Sequence, residues 1–468
     1  MRIELRSLVA VVALLIACIA ASAEGRNLTE PQKLTLVAQP GFSVLKAGEK
    51  QQAWMRVGLT GFHQERTGER APINVAIVLD RSGSMQGEKI QRAREAAIGA
   101  LDLLKSDDII SIVAYDSDVN VLVPATKLSD KEHVANIIRA IQPGGNTALF
   151  GGISKGAAEV RKFMDDKHVN RVILLSDGLA NVGPSSPGEL GELGASMKKE
   201  NISVSTLGLG LGYNEDLMVQ LAGKSGGNHQ FIENASELAS IFRGEFEDVL
   251  SVVAQTVDVK IEIPEGIRPV RVLGNSADIN GQSVITRLSQ VYSDQQKYVV
   301  VEVEIPAGLA HLAVDSSGVE IAKPTQLATV SVSYMNMSSE MSETLTGDVS
   351  ISFSSSDAKV KASVNNAVMA DVIALVASEQ NKIATDLLDR GDLAACRESL
   401  KQNAYFLNTN GDAYKSRELK ELAETNLDQL KRLEDVTSNA APAALGARKD
   451  MRQRQNYSDS QQVVPSKR

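Results

Sequence analysis

Asp80, Ser82 and Ser84 stand at alternate positions in the stretch Val75-Ala76-Ile77-Val78-Leu79-Asp80-Arg81-Ser82-Gly83-Ser84-Met85. One carboxylate and two hydroxyls at this spacing form an all-oxygen set, which suits a hard divalent cation. Gly145-Asn146-Thr147 adds a hydroxyl at the start of a helix pattern, and Val172-Ile173-Leu174-Leu175-Ser176-Asp177-Gly178 is a second apolar run that ends on an acid. The elements that must position these groups follow from periodicity. A continuous apolar run predicts a buried parallel strand. A helix pattern begins at Glu88, with Ile90, Ala97, Leu101 and Leu104 on one face. The candidate residues therefore lie where a strand's carboxyl end meets a helix N-terminus, the edge at which open α/β sheets bind ligands.

Asp-x-Ser-x-Ser, then Thr, then Asp-Gly, in this order, resembles the metal-ion-dependent adhesion site of von Willebrand factor type A (vWA) domains, and the resemblance covers residues 73–253. It implies that Ser82, Ser84 and Thr147 ligate Mg2+ (or Mn2+) directly or nearly so, while Asp80 and Asp177 act largely through water. All five positions are filled. Mg2+ favours octahedral oxygen coordination and gives up water reluctantly. An ion touched directly only by hydroxyls stays electrophilic and keeps a position open to solvent. The Asp or Glu carboxylate of a protein partner can fill it, which makes the site a socket for an acidic side chain and not a catalytic centre. Helix capping would account for Ser84 or Thr147 taken singly, but not for five oxygen ligands on three strand ends. A haloacid-dehalogenase-like phosphatase also starts from an apolar strand and Asp, yet needs a second acid where Ser82 stands.

Other tempting residues carry less. Asp116-Ser117-Asp118 reads as a solvated hairpin turn. His229 lacks a metal-spaced partner and reads as structural. Gly208-Leu209-Gly210-Leu211-Gly212 lacks the rest of a dinucleotide fingerprint. With no Ser-His-Asp, Cys-His or Walker pattern, the chain is not expected to be an enzyme.

An apolar run from Leu8 to Ala21, flanked by Arg2 and Arg6 and followed by Ala21-Ser22-Ala23, reads as a secretory signal peptide over residues 1–23. Leu15-Ile16-Ala17-Cys18 also resembles a bacterial lipobox, which would make Cys18 a lipidated first residue and the only link to a membrane. The apolar Ile19-Ala20-Ala21 argues for plain cleavage instead. Two cysteines, Cys18 and Cys396, give no disulfide framework, which suits a bacterial envelope, the periplasm included, better than an animal extracellular setting. The net charge of −9 gives no reason to expect nucleic acid.

The 468 residues exceed one domain. Strand patterns at 73–79, 109–114, 120–123, 171–175, 203–209 and 230–232 alternate with helix patterns at 88–104, 131–141, 149–164, 189–199, 215–221 and 235–250. That alternation predicts a doubly wound, Rossmann-like α/β vWA domain over 73–253. Short strand patterns lie on both sides, at 34–62 and again at 257–263, 299–305, 328–334 and 348–354. The expectation is a multidomain chain with the vWA domain inserted in a β-sandwich built from residues 30–72 and 255–356. A helical region follows over 360–435, with helices at 393–407 and 416–433 separated by a loop at 408–411. The Ala-, Gln-, Ser- and Arg-rich residues 437–468 read as a disordered tail. The expected function is Mg2+-dependent binding of a protein ligand by an exported protein. The alternatives are an accessory or scaffold subunit that recruits an envelope enzyme or assembly machine, and a structural surface component.

Overall fold

Every residue of the strand Ile73–Asp80 is buried, which is why its sequence shows no polar alternation. Ile73, Val75, Ile77 and Leu79 enter one apolar cluster, and Ala76 and Val78 enter another on the opposite side. Side chains that alternate across a sheet covered on both faces require this. The structure, a computed structural model, describes residues 33–65, 70–274, 276–311, 313–317, 320–321, 323–434, 436 and 441–461. The expected signal peptide and Cys18 lie outside the described residues.

Three strands come first: β1 (Thr35–Pro40), β2 (Val44–Lys46) and β3 (Gln51–Thr60). The α/β part follows as β4 (Ile73–Asp80), α1 (Glu88–Leu101), β5 (Ile109–Tyr115), β6 (Val119–Lys127), α2 (Lys131–Arg139), α3 (Leu149–Arg161), β7 (Val169–Ser176), α4 (Pro187–Lys199), β8 (Ile202–Leu209), α5 (Glu215–Ser225), β9 (His229–Ile232) and α6 (Leu238–Leu250). Its six strands are ordered β6-β5-β4-β7-β8-β9. All neighbours are parallel except the edge strand β6, which pairs antiparallel with β5. The chain winds outward in both directions from β4. The carboxyl ends of β4, β5 and β7 therefore flank a crevice at the topological switch point.

After α6 come β10 (Val252–Glu262), β11 (Arg268–Leu273), β12 (Asp278–Asn280), β13 (Ser283–Tyr292), β14 (Gln296–Ile305), β15 (Thr325–Asn336) and β16 (Met341–Ser354). β11, β12 and β13 add to the strands expected here. Beside a short antiparallel pairing of Ala313–Val314 with Glu320–Ile321, two larger sheets form, a four-stranded one ordered β1-β3-β14-β11 and a six-stranded one ordered β12-β13-β10-β15-β16-β2. β3 pairs antiparallel with β14 from Gln51↔Ile305 to Thr60↔Gln296, and β2 pairs parallel with β16. Strands from before and after the α/β part thus share sheets. The two sheets also share one apolar cluster, with Met55, Val57, Leu59, Val301 and Val303 from one and Val257, Val259, Ile261, Val330 and Val332 from the other.

A buried polar network fastens β7 to β13. Arg171 has no exposed surface and donates to Ser205 Oγ at 3.1 Å, Gln290 Oε1 at 2.8 Å and the Tyr292 hydroxyl at 2.8 Å. The Glu245 carboxylate stands 3.9 Å from the guanidinium and accepts from Ser205.

The chain then turns helical, with α7 (Asp357–Ala362), α8 (Asn366–Asp389), α9 (Leu393–Ala413), α10 (Arg417–Glu434) and α11 (Pro442–Ser460). Two expectations are corrected here. Residues 408–411 are not a loop but belong to α9, which continues to Ala413. Gly411 is buried there, close against Lys420 and Leu419 of α10, so packing overrides the turn-forming composition. Residues 442–460, read as part of a disordered tail, form α11. Ala444, Ala447 and Met451 fall at helical spacing and are buried with Ala384, Leu388, Cys396 and Leu400. A short apolar stripe thus finds its core only in the folded chain. No helix among the described residues is long and apolar enough to cross a membrane.

Candidate functional site

β4 delivers Asp80 to the crevice as a fully buried carboxylate. Its Oδ1 accepts the Ser82 backbone N–H at 2.8 Å, and its Oδ2 accepts the Ser176 hydroxyl at 2.6 Å. Burial raises the Asp80 carboxyl above its ordinary pKa, and the hydrogen bonds from Ser176 and Ser82 pull the other way. The one-turn 3-10 helix Gly83–Met85 follows, closed by Met85 N–H donating to the Ser82 carbonyl at 3.1 Å and Gln86 N–H to the Gly83 carbonyl at 3.3 Å. That turn sets Ser82 Oγ 3.0 Å from Ser84 Oγ. Ser84 donates to Asp177 Oδ1 at 2.6 Å, and Asp177 Oδ2 is paired with the Lys89 ammonium from the first turn of α1.

Thr147 arrives on the loop before α3. Gly145 there has φ +75°, a conformation that suits glycine. It lets the Gly145 carbonyl accept from Gly83 N at 3.0 Å, while Gly144 N donates to the Arg81 carbonyl at 2.8 Å. The loop after β7 holds Thr147 from the other side. Asn181 Oδ1 accepts the Thr147 N–H at 2.8 Å, and the Thr147 carbonyl accepts from Asn181 N at 3.2 Å.

Gly178 shows where the hydroxyls converge. A Cβ placed on it would lie 3.1 Å from Ser84 Oγ, 3.4 Å from Thr147 Oγ1 and 3.9 Å from Ser82 Oγ. Its missing side chain leaves a cradle that three hydroxyls border and two carboxylates back. The donor set fits a small hard ion. Octahedral ligands at roughly 2.1 Å are separated by about 3.0 Å along an edge, which is the Ser82–Ser84 oxygen spacing. Among the described residues no group of three or more His, Cys, Asp or Glu side chains is placed to hold a metal. The cradle has only two carboxylates and depends on hydroxyl oxygen.

The structure brings Asp80, Ser82, Ser84, Thr147 and Asp177 together. Reading the sequence missed Ser176, Asn181 and Lys89. The only signal for Ser176 was a hydroxyl directly before the acid at a strand end. Asp116 and Asp118 form the β5–β6 hairpin turn, where Asp116 N–H donates to the Asp118 carbonyl at 2.9 Å and Asp116 pairs with Arg81 at 3.0 Å. His229 is buried in the sheet between Thr206 Oγ1 at 2.9 Å and the Tyr213 hydroxyl at 3.3 Å. Cys396 is a buried thiol in the helical core.

Residues 74–244 match the family model of the von Willebrand factor type A domain, and the chain therefore carries a domain of this class. Such domains typically mediate protein–protein interaction and commonly bind a divalent metal at the adhesion site. An uncharacterized protein of Synechocystis sp. is 28% identical over 242 residues, which is 50% of this chain and 57% of that protein. Inter-alpha-trypsin inhibitor heavy chain H3 of Mus musculus is 31% identical over 203 residues, 42% of this chain and 22% of that protein. The match thus spans little more than half of the first relative and less of the second. Among solved structures, a von Willebrand factor type A protein from Catenulispora acidiphila is similar with a TM-score of 0.69 at 16% identity, covering 92% of this chain and 98% of that one. The ArnB paralog VWA2 from Sulfolobus acidocaldarius gives 0.59 at 18% identity, covering 90% and 99%. At these identities the likeness shows the fold alone.

Proposed function

We propose that this protein binds a partner protein through a divalent ion, Mg2+ or Mn2+, held at Ser82, Ser84 and Thr147 with Asp80 and Asp177 behind them. The observation that carries the reading is the convergence of three hydroxyls on one point beside Gly178. Asp80 is held by two hydrogen bonds and keeps the first turn in shape. Asp177 orients Ser84, and Asn181 locks the Thr147 loop. An ion bound there would supply an electrophilic position for an Asp or Glu carboxylate of the partner. The role proposed for the cradle is binding and not catalysis.

The signal-like pattern in residues 1–23 supports an exported protein of the periplasm or cell envelope. The two sheets that combine strands from both flanks support a β-sandwich into which the vWA domain is inserted, as a scaffold that presents the site.

Calorimetric titration of the purified protein with Mg2+ and Mn2+ tests the reading. Wild type should bind one ion, and Asp80→Ala and Ser82→Ala should bind far more weakly. Absence of binding by wild type, or equal binding by the variants, overturns it. A partner captured from envelope extract should be released by a chelator.

A further inference from the structure

β9 is the edge strand of the α/β sheet, and among the described residues no strand continues the ladder on its outer side. An open edge leaves backbone N–H groups without partners and invites pairing with another chain. Here α11 lies along that edge and fills the ladder with side-chain amides. The His229 N–H donates to Asn456 Oδ1 at 3.0 Å, and the Phe231 N–H donates to Gln453 Oε1 at 3.2 Å. Strand residues two apart point the same way, and helix residues three apart share a face, so the two periods meet. Gln453 Nε2 also donates to Gln230 Oε1 at 2.9 Å.

The same helix grips the turn that leads into α5. Lys449 is 1% exposed, and its ammonium donates to the Tyr213 carbonyl at 2.8 Å and to Glu215 Oε2 at 2.5 Å. It also sits 3.9 Å from the centre of the Tyr213 ring. Arg452 pairs with Asp216 at 2.8 Å and with Asp389 of α8 at 2.6 Å. Beyond the helix, Gln461 exchanges two hydrogen bonds with the Tyr298 backbone of β14.

The gripped turn touches the cradle on its other side. A Cβ on Gly212 would be 3.0 Å from the Asp177 carbonyl, and one on Gly210 would be 4.0 Å from Lys89 Nζ. Leu211, between them, reaches to 3.9 Å from the Cβ position of Gly446 in α11. The turn is thus held between α11 and the strand end that carries Asp177.

We propose that α11 is a strap that clamps the Leu209–Tyr213 turn against the metal-site end of the sheet, so that releasing the strap loosens Asp177 and weakens ion binding. The last clause rests on the metal-binding reading above; the clamp itself does not. The grip on the sheet edge and the turn consists largely of buried ion pairs and amides, so removing one partner leaves the other buried and unpaired and weakens the whole contact. Coupling between two such sites typically changes affinity 5- to 150-fold.

Full-length Lys449→Glu, which sets a carboxylate against Glu215, tests the strap. The first measurement is amide hydrogen exchange on metal-free protein. His229 and Phe231 should lose protection, and exchange at Asp177 and Gly178 should rise with them. The second is Mg2+ titration, where affinity should fall about tenfold. Lys449→Arg, which keeps a donor cation beside Glu215 and the Tyr213 carbonyl, should hold both properties near wild type, and protection within β4 and β7 should be unchanged in Lys449→Glu, which separates release of the strap from general damage to the fold. Unchanged exchange at His229 and Phe231 would overturn the strap. Fast exchange there with unchanged Asp177 and Gly178, or with unchanged Mg2+ affinity, would overturn the coupling. If wild type binds no Mg2+, the metal-binding reading fails, and exchange at Asp177 and Gly178 still decides the clamp.

Discussion

Replacement of Gly178 by alanine separates the cradle from the fold that carries it. Gly178 is half-buried and is not among the residues with positive φ, so an alanine accepts its backbone without strain. The new methyl would stand 3.1 Å from Ser84 Oγ, 3.4 Å from Thr147 Oγ1 and 3.9 Å from Ser82 Oγ. The fold loses little, because only the Ser84 hydroxyl must give by a few tenths of an ångström. Restricting the unfolded chain contributes about 0.4–1 kcal/mol in the other direction. Ion binding is affected far more. Mg2+ needs oxygen at roughly 2.1 Å, and a carbon in the same cradle denies it at least one hydroxyl. Loss of an outer-sphere partner alone costs roughly 10–100-fold in metal affinity. Obstruction of the cradle should therefore cost at least about 100-fold, or about 2.7 kcal/mol. Calorimetric titration with Mg2+ measures the affinity, and urea unfolding checks that stability stays within about 1 kcal/mol of wild type. Binding within about threefold of wild type, a difference under about 1 kcal/mol, would show that no ion sits among these hydroxyls.

Arg171→Met should destabilise the protein by about 3–5 kcal/mol in urea unfolding, because it leaves the fully buried Glu245 carboxylate without its cation. The double variant with Glu245→Gln should regain most of that loss, and a cost of the single variant below about 1 kcal/mol would refute the role given to the network. His229 is held neutral by burial, which lowers its pKa from 6.5 to about 3. Only the unfolded chain takes up its proton in that window, so its contribution is complete above pH 6.5 and is lost as pH falls toward 3, at about 1.4 kcal/mol per pH unit. Urea unfolding across this range should show a shallower decline for His229→Gln, and parallel curves would refute the assignment.

The runs that became the body of β4 and β7 were legible because a parallel strand covered on both faces is largely apolar, the buried Asn74, Asn170 and Arg171 near the strand starts being exceptions. Each ended on an acid at the carboxyl edge of its sheet. The α/β winding followed from the spacing of such runs between helical periods, since period is a local property of the chain. The partners of the site residues were not legible. Ser176 reaches Asp80 across 96 positions and Ser84 reaches Asp177 across 93. Nothing near Asn181 in the sequence marks it as the lock on Thr147.

The C-terminal segment shows the same division most plainly. Its composition reads as disorder, because residues 437–468 are rich in Ala, Gln, Ser and Arg. In the folded chain, Lys449 finds Glu215, Asn456 and Gln453 find the open edge of β9, and Met451 finds the core under α8. Periodicity and residue type, which are written along the chain, were enough for the type of each strong element, the order of the α/β units and the oxygen chemistry of the Asp80–Asp177 set. The tertiary structure alone decided which loops lock together, where the three hydroxyls converge and that a polar segment becomes an ordered helix. Those outcomes depend on burial and on partners supplied by distant residues, and no local pattern encodes them.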